Sequence, residues 1–450
     1  MKSNKRIDEN KLLKAAQEPS KIARKLHSIY KGKIEVVPKC QVKSLDDFSI
    51  WYSPGVAAVC RDIYENQELV YEYTNKGNSV AVVSDGSRVL GLGDIGAHAS
   101  IPVMEGKALL YKYLGGIDAF PICLGTKDEK EIIQTVKILQ PSFGGVNLED
   151  ISQPKCFSVL STLRKECSIP VWHDDQQGTA LVTLAGFINA LKVVGKKAKK
   201  VNIAMIGAGA ANVCIAKLLI LYGVNSKNIV MVDVKGTLHK ERFDLRSYYE
   251  QWSLATDTND KDVRGGIKEA MTNADVVIAL SAPGPETIKK EWVTLMAKNS
   301  IVFACANPIP EIWPWQAKQA GAAIVATGRS DFANQVNNSL GFPGVFRGVL
   351  DVKATTITDT MCITAAIELA SCVPDNKIRL DKILPTMDEW EIFPKVAAAI
   401  GVKAIKEKVA SNILSYNEIY ENAEKIIKRS RQVTDTMMKK GYIKSEKYKI

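Results

Sequence analysis

Beyond residue 200 the chain alternates short apolar runs with longer stretches whose apolar residues recur at three- and four-residue intervals. The runs are "VNIAMIG" (201–207), "NIVMVD" (228–233), "DVVIALS" (275–281), "IVFACA" (301–306) and "AAIVATG" (322–328). Runs this short and this apolar predict buried strands, and the intervening periodicity predicts helices. The alternation therefore reads as βαβ units and a parallel sheet covered on both faces. Residues 76–150 read the same way, with strands at 79–84 and 116–125, a helix near 104–114, and a further strand ending before Glu149. Residues 352–371, 391–411 and 416–440 read as helices, the last strongly charged.

At 450 residues the chain exceeds one ordinary core and predicts two or three domains. A hydrophobic share of 46% with 24% charged residues is that of a globular chain and excludes extended disorder. No run is read as reaching the ~20 apolar residues needed to span a bilayer, so no membrane partner is expected. The first 33 residues are charged and lack the apolar segment of a secretory signal, and Asp8, Glu9 and Glu18 weigh against an organellar presequence. Nine cysteines lie scattered without C-x-x-C spacing, which favours reduced thiols in a cytoplasmic protein over disulfides or a zinc site. The net charge of +11 concentrates at the ends, without interleaved aromatics. A solvated surface is the expectation, and no nucleic-acid partner.

Two glycine-rich loops compete to hold a nucleotide. "GLGDIG" (Gly91, Gly93, Gly96) satisfies G-x-G-x-x-G, whereas "GAGAAN" (Gly207, Gly209) has Asn212 in the third position. Context decides for the second. A strand must enter a tight glycine turn and leave as a helix whose free N–H groups meet the pyrophosphate. "VNIAMIGAGAANVCIAKLLILYG" supplies all three, with Ala210 and Ala211 opening the helix. After "GLGDIG", Pro102 is expected to interrupt any immediate helix. A second strand ends in Asp233, 26 residues beyond Gly207, placed to accept a hydrogen bond from the adenosine ribose. A carboxylate there favours NAD over NADP, although Lys235 would partly offset its repulsion of a 2′-phosphate. Ser281, after the third strand, is the further expected cofactor contact.

The stretch "VWHDDQQGTALVTLAGF" places Asp174 and Asp175 side by side before an apolar helix. Capping explains one carboxylate well and the second poorly. Upstream, "GGVNLEDISQPKCF" ends a strand with Glu149 and Asp150. Two such pairs suit a hard divalent cation, Mg²⁺ or Mn²⁺, which keeps positions open for substrate oxygens. Four dispersed histidines argue against zinc.

"WYSPGVAAV", "SDGSRVLGLGDIGAHASIPVMEGKALLY", "GGIDAFPICLGT", "VNLEDI", "WHDDQQGTALV", "IGAGAAN" and "ANPIPEI" occur in one order along the chain. Together they resemble the malic enzymes, in the short form without an appended phosphotransacetylase-like domain, over roughly residues 35–410. The resemblance implies an α/β substrate and metal domain over 1–175 and a Rossmann-like NAD(P)-binding domain over 176–375. Helices of 376–450 would then return to the first domain. It implies oxidative decarboxylation of L-malate to pyruvate and CO₂, with a divalent metal and NAD(P), in a homodimer.

By the same resemblance Glu149, Asp150 and Asp175 ligate the metal, and Asp174 orients a ligand or water. Lys107 of "VMEGK" is the base that takes the malate hydroxyl proton, and Tyr52 of "YSPGVA" protonates enolpyruvate. Arg88 matches a carboxylate clamp found in part of the family. Asn307 and Asn338 match asparagines that contact substrate or nicotinamide, and whether Asn337 or Asn338 faces the ligand stays open. Asn212, Trp51 and Trp172 depart from the family pattern, and Asn212 is expected to alter cofactor affinity. A metal-dependent oxaloacetate decarboxylase without net redox and an inactive ligand-sensing homologue are the competing readings. The intact glycine loop argues against the first, and the presence of Lys107, Tyr52 and the acids against the second.

Overall fold

The computed structural model describes residues 9–446, with side chains from residue 18 onward; the outermost charged residues of both ends lie outside the described residues. Four strands form a first, all-parallel sheet: β1 (Ser79–Ser84), β2 (Asp118–Cys123), β3 (Gly145–Leu148) and β4 (Val171–His173), in the order β2-β1-β3-β4. All six β1 residues are buried, which is why the strand reads as an unbroken apolar run without alternation. A second sheet holds β5 (Ile203–Ile206), β6 (Ile229–Asp233), β7 (Gly236–Thr237), β8 (Val276–Ala279), β9 (Ile301–Ala304) and β10 (Ile324–Thr327). Its order is β10-β9-β8-β5-β6-β7, parallel except for the short β7, which pairs antiparallel with β6 and carries no apolar signal.

The fold is thus the expected α/β class with a Rossmann-like second unit. The returning helices are also present: Tyr416–Lys439 lies against Gly96–Gly115, where the Ser430 hydroxyl donates to the Lys112 carbonyl at 2.7 Å. One apolar core runs continuously from β1 through the Thr179–Val194 helix to β5 and the C-terminal helices.

Three expectations change. A helix does follow "GLGDIG" at once: Gly96–Gly115 accommodates Pro102 inside it, and the Lys33 ammonium donates to the Pro102 carbonyl at 2.8 Å. What that loop lacks is a strand leading directly into the turn, since β1 ends at Ser84. The helix expected over 352–371 begins only at Asp359, where the Thr358 hydroxyl accepts the Met361 N–H at 3.1 Å, and a separate helix, Phe342–Asp351, ends before the expected range begins. Finally, Asp174–Val194 is, by length and composition, apolar enough to cross a bilayer, contrary to the reading above; most of it is buried inside the fold, which accounts for its apolar faces.

Candidate active site

In both sheets the functional loops leave the carboxyl ends of strands at the point where strand order reverses, the position at which open α/β sheets bind ligands. In the first sheet that point lies between β1 and β3. Glu149 and Asp150 follow β3 directly, and Asp175 follows β4 in a turn of five residues, Asp174–Gly178. Glu149, Asp150 and Asp175 each present a carboxylate oxygen within 4.8 Å of the others. The Asp150 N–H donates to Asp175 Oδ2 at 2.8 Å, and Asp150 holds φ at +55°, an uncommon backbone state for a residue with a side chain.

Lys107 reaches this cluster from the Gly96–Gly115 helix. Its Nζ lies 2.5 Å from Asp174 Oδ2 and 3.0 Å from Glu149 Oε1, and 4.4 Å above the Phe342 ring. Burial opposes its charge, but Asp174 and Glu149 outweigh that and hold the ammonium above the ordinary lysine range. Burial raises Glu149 well above a normal carboxylate, with Lys107 opposing and Asp175 adding to the rise. Burial and then Asp175 push Asp150 up to about 8. Like charges crowded together out of water resist ionisation, and a cation relieves that cost. Asp150 Oδ2 is buried without a protein partner, so the donor set fits a divalent ion.

Asp174 does not cap the helix that follows. Its carboxylate is fully buried against Gly178, where an added Cβ would sit 2.0 Å from Asp174 Oδ1. It accepts the Trp172 indole N–H at 3.0 Å, so the departure at Trp172 supplies a donor. Sequence reasoning missed the rest of this network. The Tyr111 hydroxyl donates to Asn147 Oδ1 at 2.8 Å, and Asn147 Nδ2 donates to Glu149 Oε2 at 2.8 Å. The helical spacing of Lys107 and Tyr111 was its only signal.

Arg88 stands on the loop after β1. Its backbone N–H donates to the Asp150 carbonyl at 3.0 Å, and its side chain is exposed. Asn338 Cβ lies beside Gly178, whereas Asn337 Oδ1 accepts the Ser339 N–H at 2.9 Å. Tyr52 is not brought there by its own chain. It follows the short Phe48–Trp51 helix with 74% of its surface exposed, and among the described residues no hydrogen bond or ion pair joins residues 34–75 to the acid cluster.

In the second sheet the reversal lies between β5 and β8. Gly207 turns there with φ +100°, and a Cβ would stand 2.5 Å from the Leu280 carbonyl, so only glycine fits. Gly209 precedes the Ala210–Tyr222 helix, and a Cβ there would meet nothing, leaving room for a phosphate at the helix start. Asn212 is the anchor of this turn: Nδ2 donates to the Ile206 and Gly207 carbonyls, both at 2.9 Å. Ser281 N–H donates to Glu311 Oε1 at 2.9 Å and Ala306 N–H to Glu311 Oε2 at 3.0 Å. Glu311, the acid of "ANPIPEI", thus ties two cofactor-facing loops together.

Asp233 ends β6 as expected, but its partner differs. Arg242 grips it with Nη2–Oδ2 at 2.7 Å and Nη1–Oδ1 at 3.1 Å, while the Lys235 ammonium goes to Asp244 at 3.0 Å. Arg242, Lys235, His239 and Arg264 line a cavity of about 440 Å³ beside Asp233.

The two half-sites face each other. A Cβ on Gly91 of the first glycine loop would stand 2.6 Å from the Asn307 carbonyl, so that loop closes the cleft against the second unit instead of cradling phosphate. A buried carboxylate cluster with a lysine, set against a glycine-lined nucleotide turn, defines a dinucleotide-dependent oxidoreductase with a metal-fitting cleft. Residues 31–164 match the malic enzyme N-terminal domain and residues 176–409 the malic enzyme NAD binding domain, and the chain belongs to the malic enzymes. It is 48% identical over 401 residues to the bifunctional malic/malolactic enzyme of Bacillus subtilis, covering 89% of this chain and 97% of that protein. It is 47% identical to the NAD-dependent malic enzyme of Geobacillus stearothermophilus, covering 84% and 78%. The solved malic enzyme of Entamoeba histolytica superposes with a TM-score of 0.96 at 45% identity, covering 99% of this chain and 93% of that one. That of Pyrococcus horikoshii gives 0.87 at 47%, covering 91% and 95%.

Proposed function

We propose that this malic enzyme oxidises L-malate and releases pyruvate and CO₂ with Lys107 as base and Tyr52 as acid, preferring NAD. The observation that carries the reading is the buried Lys107 ammonium held between Asp174 and Glu149, directly beside the Glu149–Asp150–Asp175 cluster. Those three carboxylates would hold Mg²⁺ or Mn²⁺. When bound, the cation supplies a Lewis acid toward malate's oxygens and the nicotinamide supplies a hydride acceptor.

Lys107 Nζ takes the proton of the C2 hydroxyl. A free lysine at ~10.4 is too basic for this, and a working base lies near ~7–8. With Glu149 committed to a cation, Lys107 keeps one carboxylate, Asp174, which holds it in position. Arg88 extends from a loop strapped to Asp150 and presents a fork suited to malate's second carboxylate. The Tyr52 phenol delivers the proton that C3 requires after CO₂ leaves. Asn307 and Asn338 line the opening between the units. Gly207, Gly209, Ala210, Ala211 and Ser281 receive the dinucleotide, and Asp233 receives its ribose.

We take the enzyme to work as a homodimer in the cytoplasm, with domains at 1–175, 176–375 and 376–450; nine free thiols support a reducing compartment. The test is reduced-nicotinamide absorbance with L-malate and Mn²⁺, run with NAD and with NADP, each repeated with EDTA. Metal-dependent reduction, faster with NAD, is expected. Pyruvate from oxaloacetate without any nicotinamide reduction would move the assignment to a lyase. Because one relative is named malic/malolactic, lactate is followed in the same samples.

A further inference from the structure

Gln251, on the Tyr249–Asp257 helix of the second unit, is 6% exposed and reaches both half-sites. Its Nε2 donates to the Ala208 carbonyl and to Gln153 Oε1, each at 3.2 Å. Ala208 stands between Gly207 and Gly209 in the nucleotide turn, and Gln153 follows Asp150 on the acid loop. A side-chain amide nitrogen carries two N–H groups, and here one goes to each loop. Among the described residues no other side chain hydrogen-bonds to both 207–209 and 149–153.

Both ends of this bridge are held. The helix that carries Gln251 sinks Leu254 and Ala255 into the main core, and Glu250 pairs with Lys217 of the Ala210–Tyr222 helix. Gln251 therefore moves with the nucleotide turn. On the other side, the Ser152 N–H donates to Ser87 Oγ at 2.9 Å and the Arg88 N–H to the Asp150 carbonyl at 3.0 Å. Gln153 thus belongs to a braced loop that moves with the acids. Ala210 also packs on the apolar cluster that includes Leu148, Ile151 and Cys156 beside that loop. The peptide joining Ala208 to Gly209 is planar, with its carbonyl and N–H on opposite edges. A donor that fixes the Ala208 carbonyl therefore fixes the direction of the Gly209 N–H, at the helix start where a phosphate is received.

We infer that Gln251 couples the two half-sites, so that a dinucleotide on the turn and a cation among the acids each tighten the other through Ala208, Gln251 and Gln153. The inference rests on the half-site assignments proposed above. Ordering one loop through a shared bridge spares the second ligand part of that cost, and linkage makes the gain reciprocal. Gln251 acts through its two partners and is a positioning residue.

The test is calorimetry on the full chain, with Mn²⁺ and NAD titrated singly and each in the presence of the other at saturation. The wild type is expected to bind Mn²⁺ about fivefold or more tightly with NAD present, and NAD more tightly by the same factor with Mn²⁺ present. Gln251→Met keeps the length of the side chain and removes the amide. It is expected to lower both factors about fivefold. Gln153→Met breaks the same bridge from an exposed position and is expected to do the same, with the double variant losing nothing more. Direct attraction between the two ligands persists in every variant, so the difference belongs to the bridge. Should Q251M fail to fold, Q153M decides alone. A wild type that binds the two ligands independently overturns the inference. So do variants that keep the wild-type factor while both separate affinities fall, which marks a merely structural side chain, and so do single effects that add in the double variant. A chain that binds neither Mn²⁺ nor NAD alone would overturn the half-site assignments themselves.

Discussion

The two switch points of this molecule use the same topology for opposite ends. In the first sheet the loops after β3 and β4 crowd Glu149, Asp150, Asp174 and Asp175 around one buried lysine, at a cost that a cation and a substrate must offset. In the second sheet the loops after β5 and β8 carry little charge, and shape does the work: Gly207 abuts Leu280 and Asn212 ties the turn. Strained electrostatics gather where bonds change, and close-fitting backbone gathers where a large cofactor is merely held. The "GLGDIG" loop shows that glycine spacing alone does not distinguish these uses. Its Gly91 serves the approach of one unit to the other.

The strongest break of this comparison is Lys107→Ala. Malate oxidation should fall by about 10²–10⁴-fold, the range for a lost acid–base group, with NAD affinity by fluorescence unchanged. Near-normal turnover would remove chemistry from the first switch point. Next, Asp175→Asn should weaken Mn²⁺ binding, titrated directly by calorimetry, by more than the 10–100-fold typical of residues that only support a ligand. Unchanged Mn²⁺ affinity would mean that the acid cluster is structural.

Gly207→Ala tests the other side. Strain at φ +100° and the Leu280 carbonyl should raise the KM for NAD about tenfold or more, while Mn²⁺ affinity holds. Smaller still, Arg242→Ala should shift the NAD-to-NADP rate ratio toward NAD by about tenfold, because Asp233 would then face a 2′-phosphate without its guanidinium. A ratio that does not move would place cofactor choice elsewhere.

The smallest expected effect concerns the seam within the second site. Burial pushes Glu311 up to about 7 against the Ser281 and Ala306 N–H groups. Its folded value lies above the ordinary ~4.3, so its contribution to stability is full below that pH and is lost as pH rises through about 7. Glu311→Gln leaves one N–H facing an amide N–H, costing about 1–3 kcal/mol in urea unfolding. It should also flatten the stability slope between these two pH values. An unchanged slope would assign that titration to another group.

Much of this was legible before any tertiary structure. Local apolar runs marked eight of the ten strands, because a strand buried on both faces needs continuous apolar side chains. The glycine turn and Asp233 were legible because their roles are set within one βαβ unit. The two carboxylate pairs were legible as a cation site from their pairing, and motif resemblance marked Lys107, whose role no local pattern reveals. Only the tertiary structure decided what each of these faces. Asp174 turned out to hold Lys107 and Trp172, and Asp233 was claimed by Arg242 across a loop. Asn337 capped a turn while Asn338 came to lie beside Gly178. Tyr52 proved to lie on an exposed arm, although its motif had placed it among the catalytic residues. Backbone preference and apolar periodicity act over a few residues and are written in order along the chain. Charge pairing and the completion of a cleft depend on residues far apart in sequence, so they exist only once the chain has folded.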